Sequence, residues 1–89
     1  MKLRWSETAA QDLLSIYEYI AQDKPAAAAG TVEKIIQAAE QLERSPRLGH
    51  AGRYKGTREL VHPPFVIVYR VVEDVIDIQA VLHASRRYE

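Results

Sequence analysis

The side chains that could do chemistry gather at one end of this 89-residue chain: His83, Ser85, Arg86, Arg87, Tyr88 and Glu89. Imidazole is the group that ordinarily exchanges a proton near neutral pH. A guanidinium fork matches the geometry of phosphate or carboxylate. Together they describe an anion site with an acid–base group beside it. Arg58 and Arg70, on neighbouring apolar segments, are placed to join it, unless Glu59, Glu73 or Asp77 pairs with them. The plain alternative is a solvated charged terminus, and a histidine after an apolar strand is more often structural than catalytic. Ser85 has no base and carboxylate at a fixed motif spacing. Gly49, Gly52 and Gly56 fit neither a dinucleotide-binding nor a P-loop pattern. No metal-ligand spacing appears, so neither a metal nor a cofactor is implied.

The formal net charge is zero, but it is unevenly spread. Residues 1–43 hold four basic and seven acidic side chains; residues 44–89 hold eight and five. Between Arg44 and Arg58 lie Arg47, His50, Arg53 and Lys55 and no acid. An anionic partner, nucleic acid or acidic peptide, would feel this stretch; otherwise it is a solvated loop. With no cysteine, disulfides and thiolate metal sites are excluded. No apolar run of signal-peptide length follows the basic start, and no stretch is long enough to span a bilayer. The expected location is the cytoplasm, with no membrane partner.

The elements that must position these residues form one domain, 1–89. Lys2 to Trp5 is predicted as a short edge strand. Ser6 is a predicted N-cap with Glu7 favouring the positive end of the helix dipole. Ala10, Leu13, Leu14, Tyr17, Ile20 and Ala21 then make one helical stripe, with Asp12 and Glu18 outside it. The helix should end near Gln22, and Pro25 suits the first turn of a second. That second helix carries Ala28, Val32, Ile35, Ile36, Ala39 and Leu42 on its stripe. Gly30 within it costs about 1 kcal/mol relative to alanine, which a close helix–helix crossing would explain. Ser45-Pro46 stops it.

After a loop over 47–56, Thr57 to His62 is a predicted strand, broken by Pro63-Pro64. The nearly continuous β-branched run Phe65 to Val72 predicts a central strand buried on both faces. Glu73-Asp74 is a turn. In Val75 to Leu82, Ile76, Ile78, Ala80 and Leu82 face one way and Asp77 and Gln79 the other. The expected fold is α+β, in the order β-α-α-β-β-β, a helical hairpin packed on an antiparallel sheet.

Three segments carry a family resemblance: Gly56-Thr57-Arg58-Glu59-Leu60-Val61, Phe65-Val66-Ile67-Val68-Tyr69-Arg70-Val71 and Val81-Leu82-His83-Ala84-Ser85-Arg86. The start adds a strand, a serine and Glu-x-Ala-x-x-Asp-Leu at Glu7 to Leu13. In this order, over nearly the whole chain, they resemble toxins of the RelE/ParE superfamily, the toxin halves of type II toxin–antitoxin pairs. The resemblance implies a β-α-α-β-β-β toxin neutralised by a cognate antitoxin that wraps around it in a hetero-oligomer. RelE-like members enter the ribosome and cut mRNA; ParE-like members block DNA gyrase without chemistry of their own. The ribonucleases use a basic residue three positions before the tyrosine, and here that position is Val66. Valine cannot stabilise the charge of a pentacovalent phosphate. The Arg-Glu-Leu-Val, Val-Tyr-Arg-Val and Leu-His-x-x-Arg pieces are closer to ParE-like members.

On that resemblance the expected function is gyrase inhibition, with plasmid stabilisation and growth inhibition as outcomes, through target-binding residues Arg58, Arg70, His83, Arg86, Arg87 and Tyr88. As a ribosome-dependent endoribonuclease the chain would instead use Arg58, His83 and Arg86 as catalytic residues. A third alternative is a degenerate toxin retained for complex formation. The expected antitoxin contacts are Trp5, Tyr17 and Tyr19, at the margin of the apolar stripe.

Overall fold

Ser6 begins the helical hairpin: its hydroxyl accepts the Ala9 N–H at 3.1 Å, satisfying one orphan donor of α1, Glu7–Ala21. In the computed structural model, which describes residues 1–86, α1 returns through Asp23 and Lys24 into α2, Pro25–Glu40, with proline in its first turn. A 3₁₀ turn over Gln41–Glu43 ends the hairpin. The strands are β1 (Lys2–Trp5), β2 (His50–Ala51), β3 (Arg58–His62), β4 (Phe65–Val72) and β5 (Val75–His83), followed by a 3₁₀ turn over Ala84–Arg86. The side chain of Arg86, and Arg87, Tyr88 and Glu89, lie outside the described residues.

The five strands lie in the order β1-β5-β4-β3-β2. The expected elements are all present, with the two-residue β2 added inside the predicted loop. The sheet is mixed, not wholly antiparallel as expected: β1 runs parallel to β5, Leu3 opposite Ile76 and Trp5 opposite Ile78. The helical hairpin carries the chain away and β5 returns beside β1 in the same direction. That pairing joins the two ends of the chain, and local periodicity holds no record of it.

Three hydrogen bonds fix how α1 lies on β5. The Ser6 N–H donates to the Ile78 carbonyl at 3.0 Å, the Ser6 hydroxyl to the Gln79 carbonyl at 3.1 Å, and the Val81 N–H to Asp12 Oδ2 at 2.9 Å. They set the rotation of α1, so Ala9, Leu13 and Ile16 face the core. The predicted stripe is borne out at Leu13, Ile20 and Ala21, which are half-buried, but Ala10 is exposed and Leu14 and Tyr17 are 50% and 40% exposed, while Asp12, expected outside the stripe, turns toward the sheet. In α2, Ala28, Ile35 and Ala39, with Leu42 in the turn beyond, are fully buried as expected, while Val32 and Ile36 are half-buried. Gly30 is not at a close crossing; a Cβ added there would meet nothing within 4 Å.

The same bonds hold a bulge in β5. Tyr69 pairs with Ile78 but Val68 pairs with Ala80, so Gln79 is the extra residue. Beyond it the inward face passes from even to odd positions. Ile76, Ile78 and Val81 join the core, whereas Ala80 and Leu82, expected with them, fall on the other face. The core therefore lies between the hairpin and one face of the sheet, with Leu60, Phe65, Ile67 and Tyr69 completing it. Phe65, Val66 and Ile67 bear out the strand buried on both faces, but Val71 and Val72 at its far end are exposed.

Candidate functional site

The strands sort the candidate arginines by face. Arg58 pairs with Tyr69 and so lies on the side of the hairpin; Arg70 pairs with Asp77 on the opposite side. Arg58 and Tyr69 together hold the loop after the hairpin. The Arg58 Nε and Nη2 donate to the Gly49 carbonyl at 3.1 and 2.6 Å, and Nη2 also reaches the Arg47 carbonyl at 3.2 Å. The fully buried Tyr69 hydroxyl accepts the Gly49 N–H at 3.0 Å and donates to the Pro46 carbonyl at 2.8 Å. Gly49 is packed so closely that an added Cβ would lie 2.6 Å from the Glu59 carbonyl oxygen. A guanidinium making three hydrogen bonds to two backbone carbonyls is a structural strut first.

His83 stands at the other end of β4, opposite Phe65, with its ring edge-on to the Phe65 ring at 6.0 Å between centroids. The Ser85 N–H donates to His83 Nδ1 at 3.2 Å, which leaves the ring proton of the neutral form on Nε2; the Ser85 hydroxyl lies 2.7 Å from the same nitrogen. Phe65 and Tyr69 are four residues apart, and β3 and β5 flank β4. Arg58 and His83 are thus about 16 Å apart across the sheet, at ~3.3 Å per residue and ~4.8 Å per strand. Arg58, Arg70 and His83 are therefore not gathered into one anion site. Arg86 is placed only by its backbone, in the turn after His83, and Arg87 and Tyr88 lie outside the described residues.

The sheet face away from the hairpin carries a groove of about 310 Å³ lined by Arg53, Tyr54, Glu59, Arg70, Gln79 and Leu82, among others. Glu59 is buried, and its Oε2 accepts the Arg53 N–H at 3.1 Å. The Arg53 guanidinium lies 5.9 Å from the centre of the Tyr54 ring. A second groove, about 520 Å³, runs along the outside of the hairpin between Tyr17, Ala29, Val32, Ile36 and Glu40. Of the expected antitoxin contacts, Tyr17 lines this groove and Tyr19 is 76% exposed, but Trp5 is half-buried and packed against the core.

Sequence reasoning gave no site role to Asp12 or Tyr69, named Arg53 only within the basic run, and named Glu59 only as an alternative partner of Arg58 or Arg70. Asp12 and Tyr69 carried a signal, since both stand in the segments quoted for the resemblance. Glu59 also stands in a quoted segment and Arg53 in the basic run, but neither signal pairs them; the fold of the loop between β2 and β3 brings the Arg53 N–H to Glu59 Oε2. Among the described residues no three His, Asp or Glu side chains converge where a metal ion could sit, and no helix is long and apolar enough to cross a membrane.

The comparisons with known proteins agree with this architecture. A protein of Sinorhizobium fredii named as toxin Y4kP is 40% identical over 89 residues, covering 98% of this chain and 92% of its own. Toxin RelE2 of Caulobacter vibrioides is 33% identical, covering 92% and 93%. Among solved structures, a chain of the chromosomal ParDE toxin–antitoxin system from P. aeruginosa superposes with a TM-score of 0.85 at 27% identity, over 93% of this chain and 95% of that one. The RelBE2 toxin–antitoxin complex of Mycobacterium tuberculosis gives 0.65 at 26%, over 92% and 95%. The model of the ParE toxin of type II toxin–antitoxin systems matches residues 3–88. This chain belongs to the ParE toxin family, and so is the toxin of a type II toxin–antitoxin system.

Proposed function

We propose that this toxin acts in the cytoplasm by binding and inhibiting DNA gyrase, without chemistry of its own, until a cognate antitoxin neutralises it in a hetero-oligomeric complex. The observation that carries the reading is Val66. The β4 position where ribonuclease relatives are expected to hold a base is a fully buried valine, with Val61 and Leu82 opposite it on the neighbouring strands. A phosphate in flight has no cation there. The distance between Arg58 and His83, and the use of Arg58 as a strut, argue the same way. Arg70, His83, Arg86, Arg87 and Tyr88 remain the candidate contacts to gyrase. The antitoxin covers the hairpin groove at Tyr17, Val32 and Ile36, with Tyr19 at its margin; Trp5 is left to the core.

The ribosome-dependent ribonuclease is the second reading. It is favoured by the name of the Caulobacter relative, RelE2, and by the exposed basic side chains Arg44, Arg47, Arg53 and Lys55. A supercoiling assay on purified gyrase separates the two, with cleaved transcripts in induced cells as the mark of the second. Normal growth without antitoxin would indicate a degenerate toxin kept for complex formation.

A further inference from the structure

Arg70 is a half-buried guanidinium with no hydrogen bond or ion pair among the described residues. Asp77 stands opposite it in register yet makes no ion pair with it. Glu59, the other carboxylate on this face, already accepts the Arg53 N–H. Gly56, with φ +83°, brings its backbone so close that an added Cβ would run into Arg70 Nη1. A rigid fork of five donors, partly withdrawn from water, is held with its hydrogen-bonding capacity unspent. Beside it the groove floor is apolar, formed by Val68, Ala80 and Leu82.

From this we infer that the groove receives an acidic side chain of the antitoxin, an Asp or Glu carboxylate held by Arg70, with an adjoining apolar side chain on Val68, Ala80 and Leu82. Charge and shape both select a peptide. Of the charged side chains lining the groove, Arg53 and Glu59 offset one another, and Asp77, opposite Arg70 in register, is not among the lining residues, so Arg70 is the cation that meets an anion there. The buried Glu59 carboxylate and the apolar floor oppose a polymer bearing a phosphate on every unit. The inference rests on the antitoxin partnership and not on the gyrase target, so a toxin that leaves gyrase untouched would not bear on it.

The test titrates full-length toxin with its cognate antitoxin, the wild type against Arg70→Gln and Arg70→Lys. Each is repeated with antitoxins whose Asp and Glu residues are changed one at a time to Asn and Gln. Arg70→Gln should weaken binding by roughly 10- to 100-fold, the worth of a charge-assisted hydrogen bond. That loss should vanish against one antitoxin amide variant. Arg70→Lys should restore only part of the affinity, because the bidentate fork is gone. Equal affinity for the wild type and Arg70→Gln, with both showing the same thermal melt, would overturn the inference. So would a loss of the same size against every antitoxin variant. Binding of an RNA oligonucleotide that Arg70→Gln abolishes, with antitoxin affinity unchanged, would assign the groove to nucleic acid instead.

Discussion

The two faces of the sheet share the strands β3, β4 and β5 but are finished in different ways. Under the hairpin, Ile67, Tyr69, Ile76 and Ile78 are fully buried, and the polar groups there are tied down: Tyr69 to Gly49 and Pro46, Arg58 to Gly49 and Arg47. On the open face Val68, Arg70, Ala80 and Leu82 are half-exposed around a groove, and Arg70 has no partner among the described residues. Arg58 and Arg70 are the same residue type on adjacent strands, yet one closes the fold and the other is left for a ligand. The face a side chain takes, more than its chemistry, decides which role it has.

Core truncation should separate the faces most widely. Leu42→Ala, at a fully buried position, should cost about 2–5 kcal/mol in denaturant unfolding. Leu82→Ala on the open face should cost about 1 kcal/mol, since a half-exposed side chain loses less on truncation. Equal losses would mean that the open face is as much core as the covered one.

The arginine contrast is next in size. Tyr69→Phe strands the Gly49 N–H and the Pro46 carbonyl and should cost about 1–3 kcal/mol. Arg58→Ala should destabilise by a similar amount, with faster amide exchange at Gly49, whereas Arg70→Gln should leave the melting temperature in place. If Arg70→Gln unfolds the protein as readily as Arg58→Ala, the division of roles fails. The pin on the bulge follows: Asp12→Ala removes the acceptor for the Val81 N–H and should cost about 1–2 kcal/mol. The smallest effect belongs to the hairpin's outer surface. Gly30→Ala should stabilise by about 0.5–1 kcal/mol, because the added methyl meets nothing. A loss of stability there would place a contact where none is seen.

What the sequence made legible was local. Ser6 before an apolar stripe, Pro25 at a helix start and the β-branched run at Phe65 to Val72 each have a mechanism within a few residues. What stayed hidden was set by distant partners. The rotation of α1 depends on Asp12 reaching Val81, 69 positions later. The bulge at Gln79 depends on Ser6, so plain alternation assigned Ala80 and Leu82 to the wrong face. Arg58, Arg70 and His83 are close enough in type and order to suggest one anion site. Only the register shows two of them separated along the sheet and the third on its other side.

The most direct test of the account adds antitoxin-free toxin to purified DNA gyrase and relaxed plasmid. Gyrase inhibition predicts that supercoiling stops, or that cleaved DNA accumulates, and that adding the antitoxin reverses either effect. Undiminished supercoiling in the presence of toxin that still binds its antitoxin would contradict it.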